Sequence, residues 1–130
     1  MKKFLFSAVA LIAAFAAQAI TVSEAFDEIA AIPGVAISDM PQYDVAKEGL
    51  DSGKVAMLLG QSPDSFLSVK DQITDAETYE TIIEGHHTYI YAQPAGEGKT
   101  VVLTITVTPM GPVCMLMEGT TEAALKMLND

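Results

Sequence analysis

The chain has no arginine and a single cysteine, Cys114, among its 130 residues. One cysteine cannot close an intramolecular disulfide, so the fold must be held by its core even in an oxidising compartment. It also excludes a lipidated N-terminus, because a bacterial lipoprotein carries its lipid on a cysteine at the cleavage point and Cys114 lies far downstream. With 7 basic against 17 acidic side chains, a net charge of −10, no basic stripe exists to follow a phosphate backbone or anionic headgroups. Nucleic acid is thereby set aside as a partner. Cofactor and metal motifs are missing too: there is no Cys-x-x-Cys, no His-x-x-x-His and no acidic calcium loop. No serine sits in a nucleophile elbow, and no internal repeat or low-complexity tract occurs.

What is present begins at the N-terminus. Lys2 and Lys3 precede an almost unbroken apolar run from Phe4 to Ala17, and Ala17-Gln18-Ala19 places small residues around a cleavage point. The pattern reads as an export signal over residues 1–19, with the mature chain starting at Ile20. The strongly apolar part falls short of the ~17 to 25 residues of a spanning helix, and no basic stop-transfer cluster follows it. The expected product is a free exported domain, periplasmic or secreted, without a lipid anchor or transmembrane segment. Losing Lys2 and Lys3 makes that product more acidic still. Residues 20–130 suit one domain that buries roughly 65% of the surface its unfolded chain exposes.

Local signals then alternate between helix and strand. Thr21-Val22-Ser23-Glu24 fits a capping box, and Val22, Ala25, Phe26, Ile29 and Ala30 recur at helical spacing until Pro33-Gly34. Val35 to Ile37 reads as a short strand, Ser38 to Lys54 as loop with one helical turn near Ala46, and Val55 to Leu59 as a strand apolar at every position, central in its sheet. Ser62-Pro63-Asp64 joins a capping serine, a preorganised proline and an acid at the positive end of a helix dipole, with Phe66, Val69 and Ile73 following on one face. Four strands come next, Tyr79 to Glu84, Thr88 to Ala92, Thr100 to Thr108 and Val113 to Glu118, and their short Gly- and Pro-containing connections imply an antiparallel meander. Thr120 or Thr121 caps a closing helix whose inner face carries Ala124, Leu125 and Leu128. The expected architecture is α+β: an antiparallel sheet of about five to six strands with helices packed on one face.

The run from Phe26 through Ile32-Pro33-Gly34-Val35, the Tyr79-Glu80 strand start, and Val113-Cys114-Met115-Leu116-Met117-Glu118-Gly119 before the last helix carry a resemblance. In order of elements the chain resembles a DUF4252-like family of small exported proteins of Gram-negative bacteria, classed as a domain of unknown function. The resemblance implies an α+β domain with helices on an antiparallel sheet and carries over no catalytic residue. Asp39 departs from it, since the family tends to place a basic residue after the first strand.

Candidate chemistry is sparse. His86 and His87, with Glu84 nearby, are the place to look for a metal, but neighbours on a strand point to opposite faces unless Gly85 turns the backbone; otherwise they are a solvated pair at a hairpin turn. Cys114 with Met110, Met115 and Met117 offers soft sulfur, yet alternation puts Cys114 opposite Met115 and Met117, which suits a buried thiol and gap-filling methionines. Asp27-Glu28 and Asp75-Glu77 read as solvated carboxylates, which leaves a hydrolase as the least supported class. In Thr100 to Thr108, Val101, Leu103, Ile105 and Val107 alternate with Val102, Thr104, Thr106 and Thr108, so one face is core and the other wettable. Thr104 and Thr106, joined by Tyr89 and Tyr91, then form an open face for a protein or envelope component, and Tyr43 in the Ser38 to Lys54 loop is a further contact candidate. A non-catalytic binding module is the leading reading, and a metal-binding protein using His86 or His87 the alternative.

Overall fold

The computed structural model describes residues 20–41, 47, 49–74 and 76–129; residues 1–19 and Tyr43, with the expectations attached to them, lie outside that set. Helix α1 (Val22–Ala30) leads into strands β1 (Ala36–Asp39) and β2 (Leu50–Met57), helix α2 (Asp64–Lys70), strands β3 (Glu77–Ile83), β4 (His86–Pro94), β5 (Lys99–Thr108) and β6 (Gly111–Thr120), and helix α3 (Thr121–Asn129). The strands form one six-stranded sheet in the order β1-β2-β6-β5-β4-β3, antiparallel throughout. The last four are the expected meander, and the β1–β2 hairpin joins it beside β6, which leaves β1 and β3 as the edges.

The capping box forms as the sequence implies. The Thr21 hydroxyl accepts from the Glu24 N–H at 3.1 Å, and the Thr21 N–H donates to the Glu24 carboxylate at 2.8 Å. Two of the four backbone donors left free at a helix start are thus satisfied by side chains. At α2 the Ser62 hydroxyl accepts from the Asp64 N–H at 3.2 Å, and at α3 the Thr120 hydroxyl accepts from the Ala123 N–H at 3.2 Å.

The periodicity of α1 buries Val22, Ala25, Phe26 and Ile29, which pack with Phe66 and Val69 of α2 against Leu103, Ile105 and Cys114 of the sheet. Leu103, Ile105 and Phe66 are fully enclosed, each contributing about 1.5–3 kcal/mol of apolar burial. Ile20 extends this layer: its N–H donates to the Gln72 carbonyl at 3.1 Å, and its own carbonyl accepts from the Thr74 N–H at 3.3 Å.

Helices do not all lie on this face. Ala124 of α3 is buried on the opposite face among Leu50, Ile90, Ala92, Val102 and Met117, so the terminal helix covers one end of the second face. Chain geometry accounts for this, because α3 follows β6 without a connecting loop and rises on the side to which Met117 points. A second difference concerns Leu50 to Lys54, which are strand and not loop, and Val55 to Met57 sit beside the edge strand rather than in the middle of the sheet. Gly53 in this run is not a turn signal. A Cβ there would overlap the Met40 sulfur, so the glycine admits a close approach of Met40 to the strand.

Candidate functional site

Beyond the parts covered by α3 and Met40, the second face of the sheet is open among the described residues. Ile90 of β4, Val102 of β5 and Met115 and Met117 of β6 floor a groove of about 580 Å³, within the range of small-ligand pockets. Thr88, Thr104 and Thr106 continue the floor, and Thr81, Ile82 and Ile83 of β3 form its outer wall. The shape follows from the strand pattern. Positions of β5 that alternate with Leu103 and Ile105 carry threonines, which are short, so the surface sinks between the longer side chains of β3 and β6.

The groove presents no titratable side chain among its lining residues. Two of its four threonines are engaged with each other: the buried Thr88 hydroxyl lies 3.3 Å from that of Thr106 and is 3.2 Å from the His86 carbonyl, to which it can donate. Among the described residues no buried side-chain polar atom lacks a partner. Such a surface offers methyl, thioether and aliphatic contacts, with nothing placed for acid–base or nucleophilic chemistry. Its two methionines suit irregular apolar shapes because the thioether chain is flexible and polarisable.

Thr104 and Thr106 therefore stand where alternation puts them, in the open face. Tyr89 and Tyr91 do not join them. Tyr89 pairs with Ile105 and Tyr91 with Leu103, so both rings lie on the face covered by α1 and α2, where Tyr91 is only 6% exposed. Burial raises the Tyr91 phenol above the ordinary tyrosine range, opposed by the nearby Lys70 ammonium. The residues that share the threonine face are the neighbours Thr88 and Ile90.

His86 and His87 open β4 immediately after the two-residue turn Glu84-Gly85, whose φ angles of 53° and 83° are both positive. Being adjacent in a strand they diverge, and one ion cannot be held by both. The His87 ring stacks on Tyr89 at 4.6 Å, its Nε2 lies 3.4 Å from a Glu80 carboxylate oxygen, and the Lys70 ammonium stands 4.5 Å over the other ring of the stack. Among the described residues no group of three or more His, Cys, Asp or Glu side chains converges as a metal site.

Cys114 is fully buried on the α1 side, and burial pushes its thiol far up from the ordinary range. Met115 and Met117 face the groove, so the sulfur atoms are split between the two faces. Asp27 and Glu28 are exposed on the outer side of α1.

No family model matches the chain, and no curated protein matches it. Among the described residues no helix is long and apolar enough to cross a membrane.

The groove was only half visible in the sequence. The threonine alternation marks β5, but Met115 and Met117 read as gap-filling methionines, and Ile90 and Ile82-Ile83 fall within ordinary strands. The available signal was that adjacent isoleucine pair beside a Glu-Gly turn: on a strand, two consecutive apolar residues cannot both point into one core.

Proposed function

We propose that the chain is an exported, non-catalytic binding module that receives apolar groups of a protein or peptide partner in the groove on the second face of its sheet. The observation that carries this reading is the groove itself, apolar and free of titratable side chains, left open where α3 ends its cover. The export reading rests on the sequence of residues 1–19, and the likeness to a DUF4252-like family is compatible with it.

The test is uptake of a neutral apolar dye, Nile red, by the full chain and by Thr104→Lys. Thr104 is half-buried in the floor, so a lysine there fills the groove with its stem and brings a charge to its mouth. Saturable dye fluorescence that Thr104→Lys abolishes, with folding intact, supports the reading. Absence of saturable uptake, or equal uptake by the variant, would remove it.

A further inference from the structure

We infer that the groove's partner is an extended peptide segment that adds as a seventh strand along β3, with side chains alternating between apolar and basic; the inference rests on the groove being the binding site.

The two edges of the sheet differ in how far they are protected. β1 has four residues and ends on Asp39. β3 has seven, pairs with β4 without a register break, contains neither proline nor lysine, and is exposed along its whole length. Natural edge strands are ordinarily blunted by charges, proline, bulges or a covering element; β3 carries only acidic charges, Glu77 and Glu80, and among the described residues it has no proline, bulge or cover. Tyr79, Ile82 and Ile83 on this strand are 44%, 71% and 48% exposed. Folding gives no reason for that exposure.

The backbone of β3 is available in a defined pattern. In a hairpin closed by two residues at positive φ, the flanking pair Ile83–His86 exchanges both backbone bonds, and alternate residues do so thereafter. Thr78, Glu80 and Ile82 then turn their N–H and C=O groups away from β4. A strand docking there would hang every second side chain over the groove beside Thr81 and Ile83, which are its outer wall.

Charge selects among possible occupants. β3 and its turn hold Glu77, Glu80 and Glu84, and among the described residues no lysine lies within ion-pair distance of them; the His87 ring, diagonal to Glu80 across the ladder, lies 3.4 Å from its carboxylate. A second copy would set the same acids against themselves, in a chain whose net charge is −10. A basic strand is attracted instead. Glu80 points to the face opposite the groove, since it pairs with Tyr89 while Thr81 pairs with Thr88. A basic residue set against Glu80 therefore alternates with the apolar ones that enter the groove, while Glu77, paired with Ala92, adds an acid on the groove side at the start of the strand.

The experiment uses the full chain and a short synthetic peptide of alternating isoleucine and lysine, followed by fluorescence anisotropy. Companion peptides are N-methylated on one or the other alternate set of amides, and a further one replaces lysine by glutamate. Binding is expected for the parent peptide, with a loss of about tenfold or more on methylating one amide set and little change on methylating the other. Glu80→Pro, which removes an outward N–H without touching the β4 ladder, should give a similar loss. Equal binding by both methylated forms, or equal binding by the glutamate peptide, overturns the inference. So does Nile red uptake without any peptide binding, a result that leaves the groove reading intact. Failure of both Nile red and peptide would remove the two together. A stable dimer that Glu80→Pro dissociates would assign the edge to a second copy and also overturn it.

Discussion

Truncating Tyr91 distinguishes the two faces of the sheet by energy. Tyr91 is 6% exposed, pairs across the ladder with Leu103, and belongs to the layer under α1 and α2. Tyr91→Ala removes the ring from a packed site, and comparable aromatic truncations cost about 3–5 kcal/mol through lost transfer energy and the cavity left behind. The phenol's interaction with Lys70 is lost as well, but the Lys70 ammonium keeps Asp71 at 2.8 Å, so no charge is orphaned and the lower half of that range applies. Against a total stability of about 5–15 kcal/mol the variant should melt roughly 12 °C or more below the parent. Thr104→Lys, on the open face, should cost under about 1 kcal/mol because its ammonium can reach solvent. Urea unfolding followed by circular dichroism measures both. A Tyr91→Ala chain that loses less than about 1 kcal/mol yet fails to take up Nile red would place Tyr91 in the groove and refute the assignment of faces.

Three further outcomes follow from named contacts. Thr21→Ala breaks the capping box at α1 and should lower stability by about 1 kcal/mol, read from the urea midpoint, with Thr21→Ser restoring most of it. Burial raises both the Cys114 thiol and the Tyr91 phenol, so the stability these groups carry is complete below their unfolded pKa values, about 8.5 and 10, and is lost as pH rises toward the folded ones. Stability should thus be flat through neutral pH and fall above about pH 9, iodoacetamide should label Cys114 only after unfolding, and Cys114→Ala should flatten the first part of the alkaline slope; rapid labelling of the native chain at neutral pH would contradict the burial. Intact mass of the chain recovered from a bacterial envelope should begin at Ile20, whereas a full-length mass in the membrane fraction would restore an anchor.

Local chemistry made most of the elements legible. The Thr21–Glu24 box and the Thr120 cap depend on side chains bonding to backbone within three residues, and both form; at α2 the start lies one residue later than expected, with Pro63 at the cap position and the Ser62 hydroxyl accepting from the Asp64 N–H before it. The meander was readable because its connections are short. The stretch from Leu50 to Lys54 was not, since Gly53 carries the same letter whether a chain turns or another side chain presses on a strand. Only the position of Met40, thirteen residues earlier in the sequence, distinguishes the two.

The misplacement of the tyrosines has a different origin. Within one strand, alternation states which residues share a face, and that held for Leu103 and Ile105 against Thr104 and Thr106. Between strands the faces are matched by register, and register depends on how many residues the connection consumes. Pro94 pairs with Thr100, so the β4–β5 turn takes an odd number of residues, and odd positions of β4 meet odd positions of β5 only because 94 and 100 sum to an even number. A turn that took one more residue from β5 would set Tyr91 opposite Thr104 and Ile90 opposite Ile105. The groove exists because this turn brings Ile90 and Thr88 to the threonine side, while both tyrosines go under the helices. The composition of the face is fixed by a connection that contributes no side chain to it.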